Sequence, residues 1–249
     1  MLATRRVAAS APLAQKDPLP FALLVLTAVT GVVDAVSFLG LGHVFTANMT
    51  GNVVLLGFAV AGAPGLSMAR SSTSLVAFLV GAALGGRLTV AMAAASRRRW
   101  LLTAALSEAL LLATAAIVSI GFDIGSATPP SRLYTVIILT ALAMGLRNAT
   151  MRRLAVPDLT TTVLTRTLTG VAADSSVAGG DNPRIGRRVA SISLMFAGAA
   201  VGTLLLRWGL ALPLVVSAIG VLAAAVAYVD VPTPPLAPPP GGPNPTKVG

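Results

Sequence analysis

The chain has 249 residues, of which 55% are apolar and 10% charged. Soluble globular proteins carry roughly 25% charged residues, so this composition excludes a water-covered domain and points to lipid as the solvent. Eighteen Lys and Arg against eight Asp and Glu give a formal charge of +10; with 4% aromatic residues and no basic–aromatic interleaving, that excess does not describe a nucleic-acid surface.

Residues 1–18 read as a cytoplasmic tail: Arg5 and Arg6 precede only a short Ala/Ser/Pro stretch, too weak for the apolar core of a cleaved signal. Apolar segments then follow at 20–40, 72–94, 101–121, 133–151, 189–207 and 210–229. Each is long enough to cross a hydrocarbon core as a helix, the form that satisfies its own backbone. Two weaker segments, 44–62 and 158–175, are short, Thr- and Gly-rich and open on polar residues, which predicts re-entrant or half-helical elements. Residues 230–249 are rich in Pro and Gly and read as a disordered tail.

The basic residues choose between six and eight crossings. With six, Arg5, Arg6, Lys16, Arg97, Arg98, Arg99, Arg152, Arg153, Arg184, Arg187, Arg188 and Lys247 fall inside, and only Arg70, Arg132 and Arg207 fall outside. Eight crossings would put Arg97 to Arg99 outside, against the positive-inside bias. The expected fold is therefore an all-α, polytopic membrane bundle with six full spans, two short polar elements and both termini cytoplasmic.

The membrane domain, 19–229, divides into halves at 19–122 and 132–229 that echo one another. Gly81–Gly85 (GAALG) is matched by Gly198–Gly202 (GAAVG), and Met49–Asn52 (MTGN) by Leu164–Thr167 (LTRT). Gly31 and Asp34 have the spacing of Gly145 and Asn148, and Arg99-Trp100 is echoed by Arg207-Trp208. Three crossings per half would insert the second half upside down, the inverted repeat of many secondary transporters. Gly81, Gly85, Gly198 and Gly202 form GxxxG pairs, which are packing devices.

Charged and polar groups at membrane depth are the candidate functional residues. Asp34 shares a polar stripe with Thr27, Thr30, Gly31 and Ser37; it could bind a cation, an amine or a proton, or pair with Arg147. Glu108 lies about 12 Å into its span at 1.5 Å per residue, and Arg87 or Arg147 is its expected partner. Arg147 could also reach the cytoplasmic headgroups. Arg166, among threonines, could meet an anion or pair with Asp158 or Asp174. Asp34, Asn48, Thr50, Asn52, Arg147, Asn148, Thr161, Thr162, Thr165 and Arg166 are the expected path-lining set, with Glu108 a buried acid. For the hydroxyls the alternative role is interhelical hydrogen bonding.

With no cysteine and one histidine, His43, the usual zinc, haem-thiolate and iron–sulfur sites are excluded and no metal or cofactor is expected. Walker A, dinucleotide, GxSxG and HExxH patterns are missing as well, so the chain is not expected to be an enzyme.

The stretches GVVDAVSFLGLGHVFTANMTGNVVLLG (Gly31–Gly57), RRLAVPDLTTTVLTRTLTGVAAD (Arg152–Asp174) and GDNPRIGRR (Gly180–Arg188) resemble the YoaK family. Arg166 departs from the glycine expected there. The resemblance implies a bacterial plasma-membrane protein with about six spans and no assigned activity. The expected function is a secondary transporter or channel-like permease for a small solute or ion. A non-transporting scaffold is the alternative. The bilayer, the solute and a second copy of the chain are the expected partners.

Overall fold

The computed structural model describes residues 19–154, 164–182 and 184–229. The expected tails at 1–18 and 230–249, and residues 155–163, which include the start of the second polar segment, lie outside the described residues. Helix α1 spans Leu19–Ala35 and runs on through a π-helical turn, Val36–Gly40. It is followed by α2 (Met49–Val60), α3 (Met68–Ala91), α4 (Arg97–Val118), α5 (Pro130–Leu154), α6 (Leu164–Ala173), α7 (Ile185–Leu205) and α8 (Ala211–Val229). The result is the polytopic helical bundle that the sequence predicts.

Local chemistry sets the helix ends. Asn48, Ser67 and Ser96 cap α2, α3 and α4 by accepting from the amides of Gly51, Arg70 and Arg99. Pro130 opens α5, where its missing N–H costs nothing. Five helices, counting α1 with its π turn, are long and apolar enough to cross a membrane, and α8 is a shorter apolar helix. At 12 residues α2 is only about 18 Å long, and the 10 described residues of α6 about 15 Å, half of a bilayer core of about 30 Å. Gly42 and His43, both at positive φ (81° and 59°), turn the chain back after the π turn. Residues 41–48 are non-helical, and α2 follows.

Two close helix pairs hold the bundle. On α1, a Cβ at Gly31 would stand 2.8 Å from the Ala199 amide nitrogen and closer still to the Met195 carbonyl of α7. On α5, a Cβ at Gly145 would meet Ala82 N and Phe78 O of α3 in the same way. The other members of these contacts are glycines too: Gly198 lies on Ala28 of α1, and Gly81 on Leu142 of α5. Gly202 abuts Val32 and Ala35, while Gly85 abuts Leu146 and Ala149. The GxxxG pairs therefore sit in one register in both helix pairs. In addition, α1 packs on α8, α5 on α4, and α4 on α8.

One echo in the sequence is not structural. Trp100 lies in the first turn of α4 and is 1% exposed, whereas Trp208 ends a 3₁₀ turn and is 70% exposed. The Arg-Trp pairs therefore do different jobs. Inside, Val33, Val36, Leu112, Ile137, Met144 and Leu214 form the core. Outside, Phe21, Leu79, Leu110, Ile117, Phe196 and Ile219 are exposed, an apolar surface suited to lipid tails.

Close backbone approach makes a direct prediction. Gly145→Leu should destabilise the detergent-solubilised protein by about 1–3 kcal/mol or more through overpacking. Gly86→Leu, where an added side chain meets nothing within 4 Å, should leave the thermal midpoint unchanged; equal midpoints for the two variants would contradict the packing described.

Candidate functional site

A non-helical strand at membrane depth needs partners for its main chain. Asn52, fully buried on α2, provides them for Phe45. Its Oδ1 accepts from the Phe45 amide at 2.8 Å, and its Nδ2 donates to the Phe45 carbonyl and to Ser74 Oγ (3.1 Å). Ser74, on α3, donates to the same carbonyl at 2.6 Å. The Asp34 carboxylate does the same work two residues on: Oδ1 accepts from the Ala47 amide at 3.2 Å, and the Asn48 amide also bonds to the carboxylate. At the outer turn, Arg70 Nη1 donates to the Gly42 carbonyl at 3.3 Å.

Fixing this strand leaves a cavity of about 660 Å³ bounded by α1, α2 and α6, with α3 and α7 behind. Its polar wall carries Thr30, Asp34, Asn48, Thr50 and Thr165; its apolar wall includes Phe45, Phe78 and Met195. Thr50 and Thr165 stand at the starts of α2 and of the described part of α6. The Phe45 ring is stacked on Phe38, with centroids 4.9 Å apart, and the His43 ring meets Phe38 edge-on at 5.2 Å.

A second centre lies behind this wall. Arg147, on α5, is buried to 1% exposure and donates through Nε to Glu108 Oε1 of α4 at 2.7 Å and through Nη2 to the same oxygen. Its Nη1 donates to Thr30 Oγ1 at 2.9 Å and to the Leu26 carbonyl at 3.0 Å. Two opposite charges in contact, with both Nη1 donors satisfied as well, are what a buried ion pair requires. A pocket of about 50 Å³ beside the pair, walled by Leu23, Leu101, Met151 and Val221, has room for no more than a few waters. Thr30 thus touches both centres: it lines the larger cavity and accepts from Arg147.

The structure divides the expected path-lining set. It brings Asp34, Asn48, Thr50 and Thr165 together on one wall. Asn52 is not on that wall, because its amide is spent on the Phe45 main chain. Arg147 is turned to Glu108 rather than to headgroups or Asp34. Asn148 donates to the Met144 carbonyl one turn back at 2.8 Å. Arg166 is exposed and off the wall, and Asp174 instead pairs with Arg188 at 2.7 Å. Thr161 and Thr162 lie outside the described residues. Thr27, Thr30 and Ser37 return their hydroxyls to carbonyls of α1 itself. Among the described residues no three His, Cys, Asp or Glu side chains cluster as metal ligands would.

The family described as "Protein of unknown function (DUF1275)" matches residues 22–227. The chain is similar to the UPF0700 transmembrane protein YoaK of Bacillus subtilis (strain 168), with 37% identity over 155 residues. The match covers 62% of this chain and 65% of that protein, slightly under two thirds of the relative's length. No solved structure matches.

The buried pair generates a stability prediction. Glu108→Gln leaves the guanidinium buried without a counter-charge and should cost about 3–5 kcal/mol, while the double variant Glu108→Leu with Arg147→Met should recover most of that loss. Chemical unfolding in mixed micelles measures both; a double variant as unstable as the single one would contradict the pairing as the source of the cost.

Proposed function

Because the chain belongs to the DUF1275 family of proteins of unknown function, and is a multi-pass integral membrane protein, we propose that it carries a small solute or ion across the plasma membrane of a bacterium through the cavity beside Asp34. The carrying observation is the wall itself. Thr50, from one short helix, and Thr165, from the other, face the same space as Asp34. Polar side chains around irregular backbone are tolerated at membrane depth where they border protein or water.

The helix pairing supports an inverted duplication. Helix α1 lies on α7 as α5 lies on α3, with Gly31 and Gly145 in the same register against Gly198 and Gly81. Each half then holds three full spans and one short element, so the halves run in opposite senses and their short elements enter from opposite faces. In this reading both termini are cytoplasmic, which gathers Arg97 to Arg99, Arg152, Arg153, Arg184, Arg187 and Arg188 on the inner face. The energy source is a gradient or none. The proposal includes no bond-making chemistry and no cofactor, and assembly with a second copy is compatible with it.

The chain has no cysteine, so single replacements report cleanly. Thr50→Cys and Thr165→Cys, each reconstituted in oriented vesicles, are expected to react with membrane-impermeant methanethiosulfonate reagents added to either face. Failure of both to react from any side would mean a dry, closed cavity and would favour the rival reading, a non-transporting scaffold.

A further inference from the structure

Among the described residues on the cavity wall, Asp34 is the only ionisable one. Among the described residues it makes no ion pair: its hydrogen-bond partners are the main-chain amides of Ala47 and Asn48, and Arg147, whose charge it feels, is paired with Glu108. A carboxylate removed from water without a counter-charge is costly, so the cavity favours an occupant that brings positive charge. Resting on the transport reading above, we infer that the solute is a small organic ammonium with an apolar body.

The remaining wall chemistry separates this class from a bare metal ion. Calcium takes six to eight oxygen ligands and magnesium a near-ideal octahedron. Here Thr30 Oγ1 is occupied by Leu26 and Arg147, and Asn48 Oδ1 accepts from the Gly51 amide. That leaves the unused carboxylate lone pairs, the second lone pair of Asn48 Oδ1, and the hydroxyls of Thr50 and Thr165, which make no hydrogen bond among the described residues. These four groups suffice for the three N–H donors of a primary ammonium and fall short of the six or more ligands of calcium or magnesium. Phe45 and Phe78 line the same cavity, where aromatic rings attract a cation, and with Met195 they give the apolar body a surface. A volume of about 660 Å³ lies within the range of small-molecule sites, roughly 300–1,000 Å³.

The test uses the full chain carrying Thr165→Cys, reconstituted in liposomes. Its reaction rates with a cationic (trimethylammonium-ethyl) and an anionic (sulfonato-ethyl) methanethiosulfonate are each normalised to those of free 2-mercaptoethanol. Their ratio is independent of any change Asp34 makes to the thiol, since that change alters both rates equally. The normalised ratio should favour the cation and fall roughly tenfold or more with Asp34→Asn, as expected for loss of one unit charge in a low-dielectric space. Asp34→Glu should keep it high. A ratio at or below that of the free thiol with Asp34 intact overturns the inference without any Asp34 variant.

A second arm supplies the chemical class. 2-Phenylethylammonium should slow modification of Thr165→Cys by uncharged methyl methanethiosulfonate at concentrations where 2-phenylethanol, 3-phenylpropionate and sodium chloride do not. Equal protection by the alcohol or the carboxylate, protection by sodium, or no protection by the ammonium each overturns it. If Thr50→Cys and Thr165→Cys react from both faces while the cation preference is missing, the transport reading stands and the ammonium assignment falls; if neither reacts, both fall.

Discussion

Hydrocarbon offers no hydrogen bonds, and this constraint organises most of what the fold does. The long helices of the bundle meet it internally, through their own i to i−4 ladders. The strand at 41–48 has no ladder, so side chains must stand in for one. Asn52 and Ser74 take both polar groups of Phe45, Asp34 takes the amides of Ala47 and Asn48, and Arg70 reaches the carbonyl of Gly42. Asp34, Asn52, Ser74 and Arg70 each have a main-chain partner within residues 41–48. Without these contacts the chain would have no means of interrupting itself at depth, and without the interruption there would be no cavity.

Glycine contributes the second part of the architecture. Backbone-to-backbone approach at Gly31–Gly198 and Gly145–Gly81 brings the paired helices within the distance where carbonyl and Cα atoms touch. The short helices α2 and α6 pack on these pairs, α2 on α3 and α6 on α7. The Arg147–Glu108 pair crosslinks α5 to α4, and through Thr30 and Leu26 to α1. Three long helices, of which α1 lines the cavity, are thereby joined through one guanidinium.

Composition and segment length were enough to read the membrane class and the polytopic helical bundle, and α2 as a short element, because the bilayer imposes a minimum length that twelve residues cannot meet. Asp34, Asn48, Thr50 and Thr165 were legible as path candidates, since polar groups clustered beside helix breaks have few other uses in lipid. Three features were not legible. Asn52 carries the same sequence signature as a lining residue, yet its amide is turned to the backbone; a polar residue at depth looks alike in either role. Glu108 and Arg147 lie far apart along the chain, so their pairing depends on how α4 and α5 dock, and spacing alone left Arg87 as an equal partner. The apolar wall, Phe45, Phe78 and Met195, is indistinguishable in sequence from ordinary packing residues. The Arg-Trp echo failed for a related reason: a dipeptide match records composition, while burial of Trp100 and exposure of Trp208 follow from whether a helix or a connector contains it.

Asn52 and Ser74 grip residue 45 entirely by its peptide group; the ring itself makes only apolar contacts, with Phe38 and against Gly51. Scaffold and lumen are thus decoupled at this point. A lineage is free to exchange the aromatic ring for a smaller or more polar group, reshaping what the chamber admits, while the strand keeps every bond that fixes its course. Selectivity can drift here with little penalty to folding, which makes position 45 a natural dial for divergence among descendants of the same bundle.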